Sequence, residues 1–107
     1  MIKCEIGDGL CQLWLARADK ANALTEGMLE AIAKAATDAA QQGARALILT
    51  GEGKVFSAGA DLEGMKAGLG TSSAWGRAAD ALTAFPGPTI AALNGTLAGG
   101  AMGVALA

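Results

Sequence analysis

A chain of 107 residues with a formal charge of −2, its charges scattered, amounts to one domain at most and offers no basic surface for nucleic acid. It contains no histidine, so the usual general base and the commonest metal ligand are missing, and zinc chemistry and Ser–His catalysis are poor readings. Apolar residues make up 52% but aromatic ones only 4%; the excess is Ala and Gly, which predicts backbones packed close with little area buried per residue.

The chain begins with two alternating segments, KCEI and LCQLWL, joined by GDG, which predicts a β-hairpin. With Ile6 set opposite Leu10, Cys4 meets Gln12 and Cys11 meets Glu5, so the two thiols face opposite ways; a slip of one residue changes that. Both are expected to be reduced structural thiols of a cytoplasmic protein, and MIKCEIGDG has no apolar signal core. ARADKANA reads as a loop of mixed charge. From Thr25 the spacing turns helical, with Leu24, Met28, Leu29, Ile32, Ala35, Ala36 and Ala39 on one face. Thr25 is placed as N-cap and Gly43 as the stop.

ALILT, residues 46–50, is an unbroken apolar run, as expected of a strand covered on both faces. A small-residue loop, GEGKVFSAGAD, leads to a helical turn at LEGM, and Gly64–Gly70 reads as loose chain. Ser72 or Ser73 caps a second helix, running through Phe85, with Ala74, Trp75, Ala78, Ala79, Leu82 and Phe85 facing in. Pro86 and Pro88 end it, and TIAAL, residues 89–93, is a second buried strand. Ala44–Thr50 and Thr89–Leu93 are expected to be parallel neighbours in an α/β crossover fold.

The C-terminal stretch TIAALNGTLAGGAMGVALA has a rival reading. It is uncharged, close to membrane-span length, and sets Gly95, Gly99 and Gly103 at small-xxx-small spacing, as in a transmembrane helix. The Asn94-Gly95 turn signal and the absence of basic or aromatic anchors favour a strand, a turn and a glycine-rich helix start. Two similar sites then follow two buried strands, Ser57–Asp61 and Ala98–Ala101. Small residues let a ligand approach the backbone, and two N–H donors brought together suit a thioester enolate oxygen. An ordinary Gly-Ala packing turn is the competing reading.

RADKANAL (17–24), FSAGADL (56–62) and PTIAALNGTLAGGAMGVALA (88–107), in this order and spacing, resemble the enoyl-CoA hydratase/isomerase family of the crotonase superfamily. The resemblance implies an α/β fold of the ClpP/crotonase type, a spiral of βαβ units. Residues 1–107 would be the N-terminal part of an acyl-CoA-binding domain, since family members are more than twice this length. It implies backbone N–H donors at Ala60 and Gly100, and CoA-binding segments at Lys20, Ala21, Asn22 and Ala23 and at Ala58, Gly59, Ala60, Asp61 and Leu62. It also implies an acyl-CoA substrate, no cofactor beyond coenzyme A as part of that substrate, no membrane partner, and a homo-oligomer, trimer or hexamer.

Gly103 stands where hydratases of the family carry a glutamate, and glycine moves no proton. That leaves isomerisation, thioester hydrolysis, dehalogenation or decarboxylation with groups from elsewhere, or a non-catalytic acyl-CoA-binding fragment. Asp61 is a weak candidate for touching substrate; capping the helical turn at Leu62 is the preferred reading. Trp14 and Trp75 are read as core, and Met65 and Met102 as acyl-pocket lining or plain filling. A bare apolar surface is expected around Trp75–Phe85 and the helix from Gly100.

Overall fold

The computed structural model describes residues 1–106. Strands β1 (Ile2–Gly7) and β2 (Leu10–Leu15) form the hairpin, and helix α1 (Glu26–Gln41) leads to β3 (Ala46–Gly51). Short β4 (Val55–Ser57) and α2 (Leu62–Lys66) follow, then α3 (Ala74–Ala84), β5 (Thr89–Ala92), β6 (Thr96–Leu97) and α4 (Ala101–Ala105). The main sheet runs β1-β2-β3-β5. Its first pair is antiparallel and the other two are parallel, with Leu47 opposite Thr89 and Ile48 opposite Ile90, as the two apolar runs predict.

Helix α1 forms for the reasons its sequence states. Thr25 Oγ1 accepts from the Met28 N–H at 3.1 Å, Glu26 sits in the positive first turn, and Gly43 at φ +79° ends the helix. Its face of Met28, Leu29, Ile32, Ala36 and Ala39 is buried together with Cys11, Leu13, Leu15, Leu47 and Leu49 of the sheet.

The hairpin register differs from the sequence expectation by one residue. Asp8 and Gly9 both take positive φ (53° and 79°), so the turn has two residues, and Gly7 rather than Ile6 pairs with Leu10. Cys4 then lies opposite Leu13 and Cys11 opposite Ile6, which puts both thiols on the helix-covered face. Cys11 is fully buried, and burial, with Cys4 adding to it, pushes its thiol up to about 12.

The helices cover one face of the sheet only. Ile48, Thr50, Ile90 and Trp14 lie on the other, half-buried or exposed, so β3 is not enclosed on both sides and Trp14 is not core. The inner face of α3 is buried against α1 and α4 (Ala74, Ala78, Leu82, with Phe85 beyond it), so no bare surface lies around Trp75–Phe85. The exposed large apolar side chains are Met1 and Ile6 at the hairpin, Ile90 and Leu93, Met102 and Leu106 at α4, and Leu62 and Met65 on α2. Residues 64–70 are less loose than expected, because buried Leu69 anchors a 3-10 turn at Leu69–Thr71.

The C-terminal stretch is strand, strand and short helix, not one continuous helix. Among the described residues, no helix is long and apolar enough to cross a membrane. Strands β4 and β6 pair parallel in a small second sheet. With three and two residues they are too short to leave a periodic signal within glycine-rich loops.

Candidate active site

The second sheet brings the two small-residue loops together. Ala98 N–H donates to Ser57 O at 3.1 Å, and the chains then touch backbone to backbone at Gly59 and Gly99. A Cβ on Gly59 would lie 3.2 Å from Ala98 O, and Gly59 has φ +104°. Both observations favour glycine there. Ser57, fully buried, donates from Oγ to Asn22 O at 2.8 Å and accepts from Gly59 N–H at 3.2 Å.

Ala60 follows as an extended residue bridged to Leu24. Leu24 N–H donates to Gly59 O at 2.7 Å and Asp61 N–H donates to Leu24 O at 2.8 Å. Successive peptide groups of an extended chain alternate in direction, so the Ala60 N–H turns away from Leu24. Among the described residues it has no hydrogen-bond acceptor, and neither has the N–H of Gly100, the residue before α4. Ala60 and Gly100 line one open pocket of ≈ 510 Å³, whose walls include Met65, Trp75, Gly103 and Val104. A Cβ on Gly100 would sit 2.9 Å from the Trp75 ring, so glycine here admits the ring. Trp75 is both half-buried packing and pocket wall, its Nε1–H donating to Leu69 O at 2.9 Å. Met65 lines the pocket; Met102 is exposed outside it.

A second hollow of ≈ 480 Å³ reaches the other side of Ala60, lined by Lys20, Ala23, Ala58, Asp61, Leu62 and Arg17. Most of the positions that the resemblance assigned to CoA therefore share one surface. Three serve the framework. Ala21 O accepts from Ala58 N–H at 3.0 Å, Gly59 makes the backbone contact, and Asn22 is fully buried. The Asn22 side chain accepts from Arg17 N–H at 2.8 Å and donates to Glu52 O and Val55 O at 2.9 and 2.8 Å.

Asp61 caps α2, as its position before Leu62 suggests, with Oδ2 accepting from Gly64 N–H at 2.9 Å. Its Oδ1 accepts from Arg17 Nη1 at 2.8 Å, and the same nitrogen donates to Ala23 O at 3.0 Å. The Arg17 hydrogen bond, then that of Gly64, hold the Asp61 carboxyl below the usual range, with the charges of Arg17 and Lys20 adding to the effect. Sequence reasoning gave Arg17 no role. Its partner lies 44 residues away, and only the fold joins them.

The comparisons with known proteins bear on the family and the fold. The family model for enoyl-CoA hydratase/isomerase matches residues 5–107. A Rhodobacter capsulatus protein described as "Probable enoyl-CoA hydratase" is 36% identical over 111 residues, covering 99% of this chain and 43% of its own length. The 4-chlorobenzoyl coenzyme A dehalogenase-2 of an Arthrobacter species is 33% identical, covering 99% and 42%. The crystal structure of an enoyl-CoA hydratase from Bacillus anthracis aligns with TM-score 0.83 at 30% identity, over 98% of this chain and 44% of that one. The fold is a mixed α/β part of the crotonase type, and the chain belongs to the enoyl-CoA hydratase/isomerase family. It spans less than half the length of the relatives it matches.

Proposed function

We propose that this chain forms the thioester-binding half of an acyl-CoA site, with the N–H groups of Ala60 and Gly100 as an oxyanion hole. The observation that carries this reading is that both residues, each on a loop after a strand, line the same ≈ 510 Å³ pocket with no protein acceptor for either N–H. Donors left free in an apolar, partly enclosed space suit charge developing on a thioester oxygen, at a few kcal/mol per donor. The hollow around Lys20, Ala58 and Leu62 takes the coenzyme A portion, and the pocket between Met65, Trp75 and Val104 takes the acyl group. CoA enters as part of the substrate, and no other cofactor is proposed.

Proton transfer is a separate matter. Gly103 lines the acyl pocket with no carboxylate to offer, and Asp61 is spent on Arg17 and Gly64. The reading therefore favours polarisation of the thioester without the two-glutamate hydration chemistry of the family. A lyase or isomerase label and a place in fatty acid metabolism would require a proton-transfer group from outside this segment. A homo-oligomer, trimer or hexamer, is also proposed, supported by exposed Ile90, Leu93 and Leu106. The location proposed is the cytoplasm, in keeping with the reduced Cys4 and Cys11.

The test is a pair of titrations, one with butyryl-CoA and one with its thioether analogue, which lacks only the carbonyl oxygen. We expect tighter binding of the thioester by about tenfold. Equal affinities would remove the oxyanion hole from the account, and no binding of either would remove the acyl-CoA site.

A further inference from the structure

We propose that Arg17 is a positioning residue: its guanidinium, gripping Ala23 O and the Asp61 carboxylate, holds the Ala60 loop in register against residues 21–24. Three segments meet at this one side chain. Arg17 opens the 17–24 loop after β2, Ala23 closes the same loop, and Asp61 joins Ala60 to α2. Nη1 lies 2.8 Å from Asp61 Oδ1 and 3.0 Å from Ala23 O, and the second carboxylate oxygen is taken by Gly64 N–H at 2.9 Å.

The grip lies beside a short ladder. Ala58 N–H to Ala21 O, Leu24 N–H to Gly59 O and Asp61 N–H to Leu24 O span 2.7 to 3.0 Å, and the Ala60 N–H falls between the last two bonds. A shift of either segment would turn that N–H. The ion pair is well placed to resist one, because its side chains keep only 18% and 15% of their exposure, so water screens the attraction less than it would on an open surface. Without Arg17, a half-enclosed carboxylate and the Ala23 carbonyl would lose their partner, which favours loosening of this join first. Opposite the grip, Ser57 ties the same loop to Asn22 O, so the segment before Ala60 is fixed independently and the segment after it depends on Arg17.

Only the second readout of the test rests on the oxyanion reading. Hydrogen exchange is followed at the amides of Leu24, Ala58 and Asp61 in wild type, Arg17→Met and Arg17→Lys, with β3 amides as the internal reference. The same proteins are titrated with butyryl-CoA and its thioether analogue. Arg17 borders the CoA hollow, so its loss weakens both ligands, but the ratio of the two affinities cancels that shared effect. The expected result is exchange about tenfold or more faster at Leu24 and Asp61 in Arg17→Met, with β3 unchanged. The thioester preference should fall towards one, and Arg17→Lys, which keeps the charge on a shorter side chain without the planar fork, should restore both readouts only in part. Unchanged exchange overturns the proposal, and so does faster exchange with the preference intact. If wild type itself shows no thioester preference, the oxyanion reading fails and the exchange arm alone decides the grip. Should Arg17→Met not fold, Asp61→Asn, which keeps the shape and loses the charge, takes its place under the same criteria.

Discussion

Gly59 and Gly99 show why the smallest residues stand where a loop could carry side chains: two backbones pass at van der Waals distance, with Gly59 Cα as the nearest atom to a Cβ on Gly99, at 3.3 Å. Gly59→Ala combines that contact with a φ of +104° that alanine rarely adopts, and it should cost about 2 kcal/mol in urea unfolding. Asn22 is the polar counterpart. Its side chain makes three hydrogen bonds inside the protein, so Asn22→Ala strands Glu52 O and Arg17 N–H, leaves Val55 O only the longer bond from Asn94 at 3.3 Å, and should cost about 3 kcal/mol, also read by urea unfolding. Its neighbour in function, Asp61, carries a pH signature. Because its folded pKa is lowered, the stability it contributes is present above the unfolded value of about 3.9 and is lost as pH falls through the folded value. The stability gap between wild type and Asp61→Asn should therefore be widest near neutral pH and close in acid. A gap that does not change with pH would contradict the ion pair.

Among the elements, those with strong local signals were legible in the sequence. Helix α1 has a cap, a periodic face and a terminal glycine, and Thr25→Ala should cost about 1 kcal/mol by thermal or urea unfolding, since it frees the Met28 N–H. Strands β3 and β5 were legible as apolar runs, and their parallel pairing followed from the helix between them. What escaped depends on distant partners. Strands β4 and β6 exist because Val55 and Ser57 meet Thr96 and Leu97 some forty residues on, and nothing local marks them. The one-residue error in the hairpin came from Ile6, apolar enough to be read as the last pair before the turn, whereas Asp8-Gly9 alone makes the bend. The sheet's open face escaped because Ile48 and Ile90 read as buried in a sequence that does not say where its helices pack. Of the candidate site, the two glycine loops were legible and do meet at Gly59 and Gly99, but Arg17 is an ordinary loop arginine until the fold sets it beside Asp61.

At the scale of the whole molecule, the proposed function has this chain polarise a thioester rather than move protons. The wall at Gly103 is open, with nothing within 4 Å of where its Cβ would sit, so Gly103→Glu should be accommodated. General acid–base help is typically worth ~100- to 10,000-fold, and the 107-residue chain should therefore show no useful hydration of crotonyl-CoA. Gly103→Glu should raise the rate if Ala60 and Gly100 hold the carbonyl. Robust wild-type turnover abolished by Asp61→Asn would instead make Asp61 the acid–base group.

The central claim, that two backbone amides grip a thioester oxygen, is tested most directly by the carbonyl stretch of 13C-labelled butyryl-CoA in the infrared, free and bound to this chain. Donation from Ala60 and Gly100 weakens the C=O bond, so the account predicts a bound band at lower frequency than the free one. A bound ligand whose carbonyl band stays at the free position would contradict it.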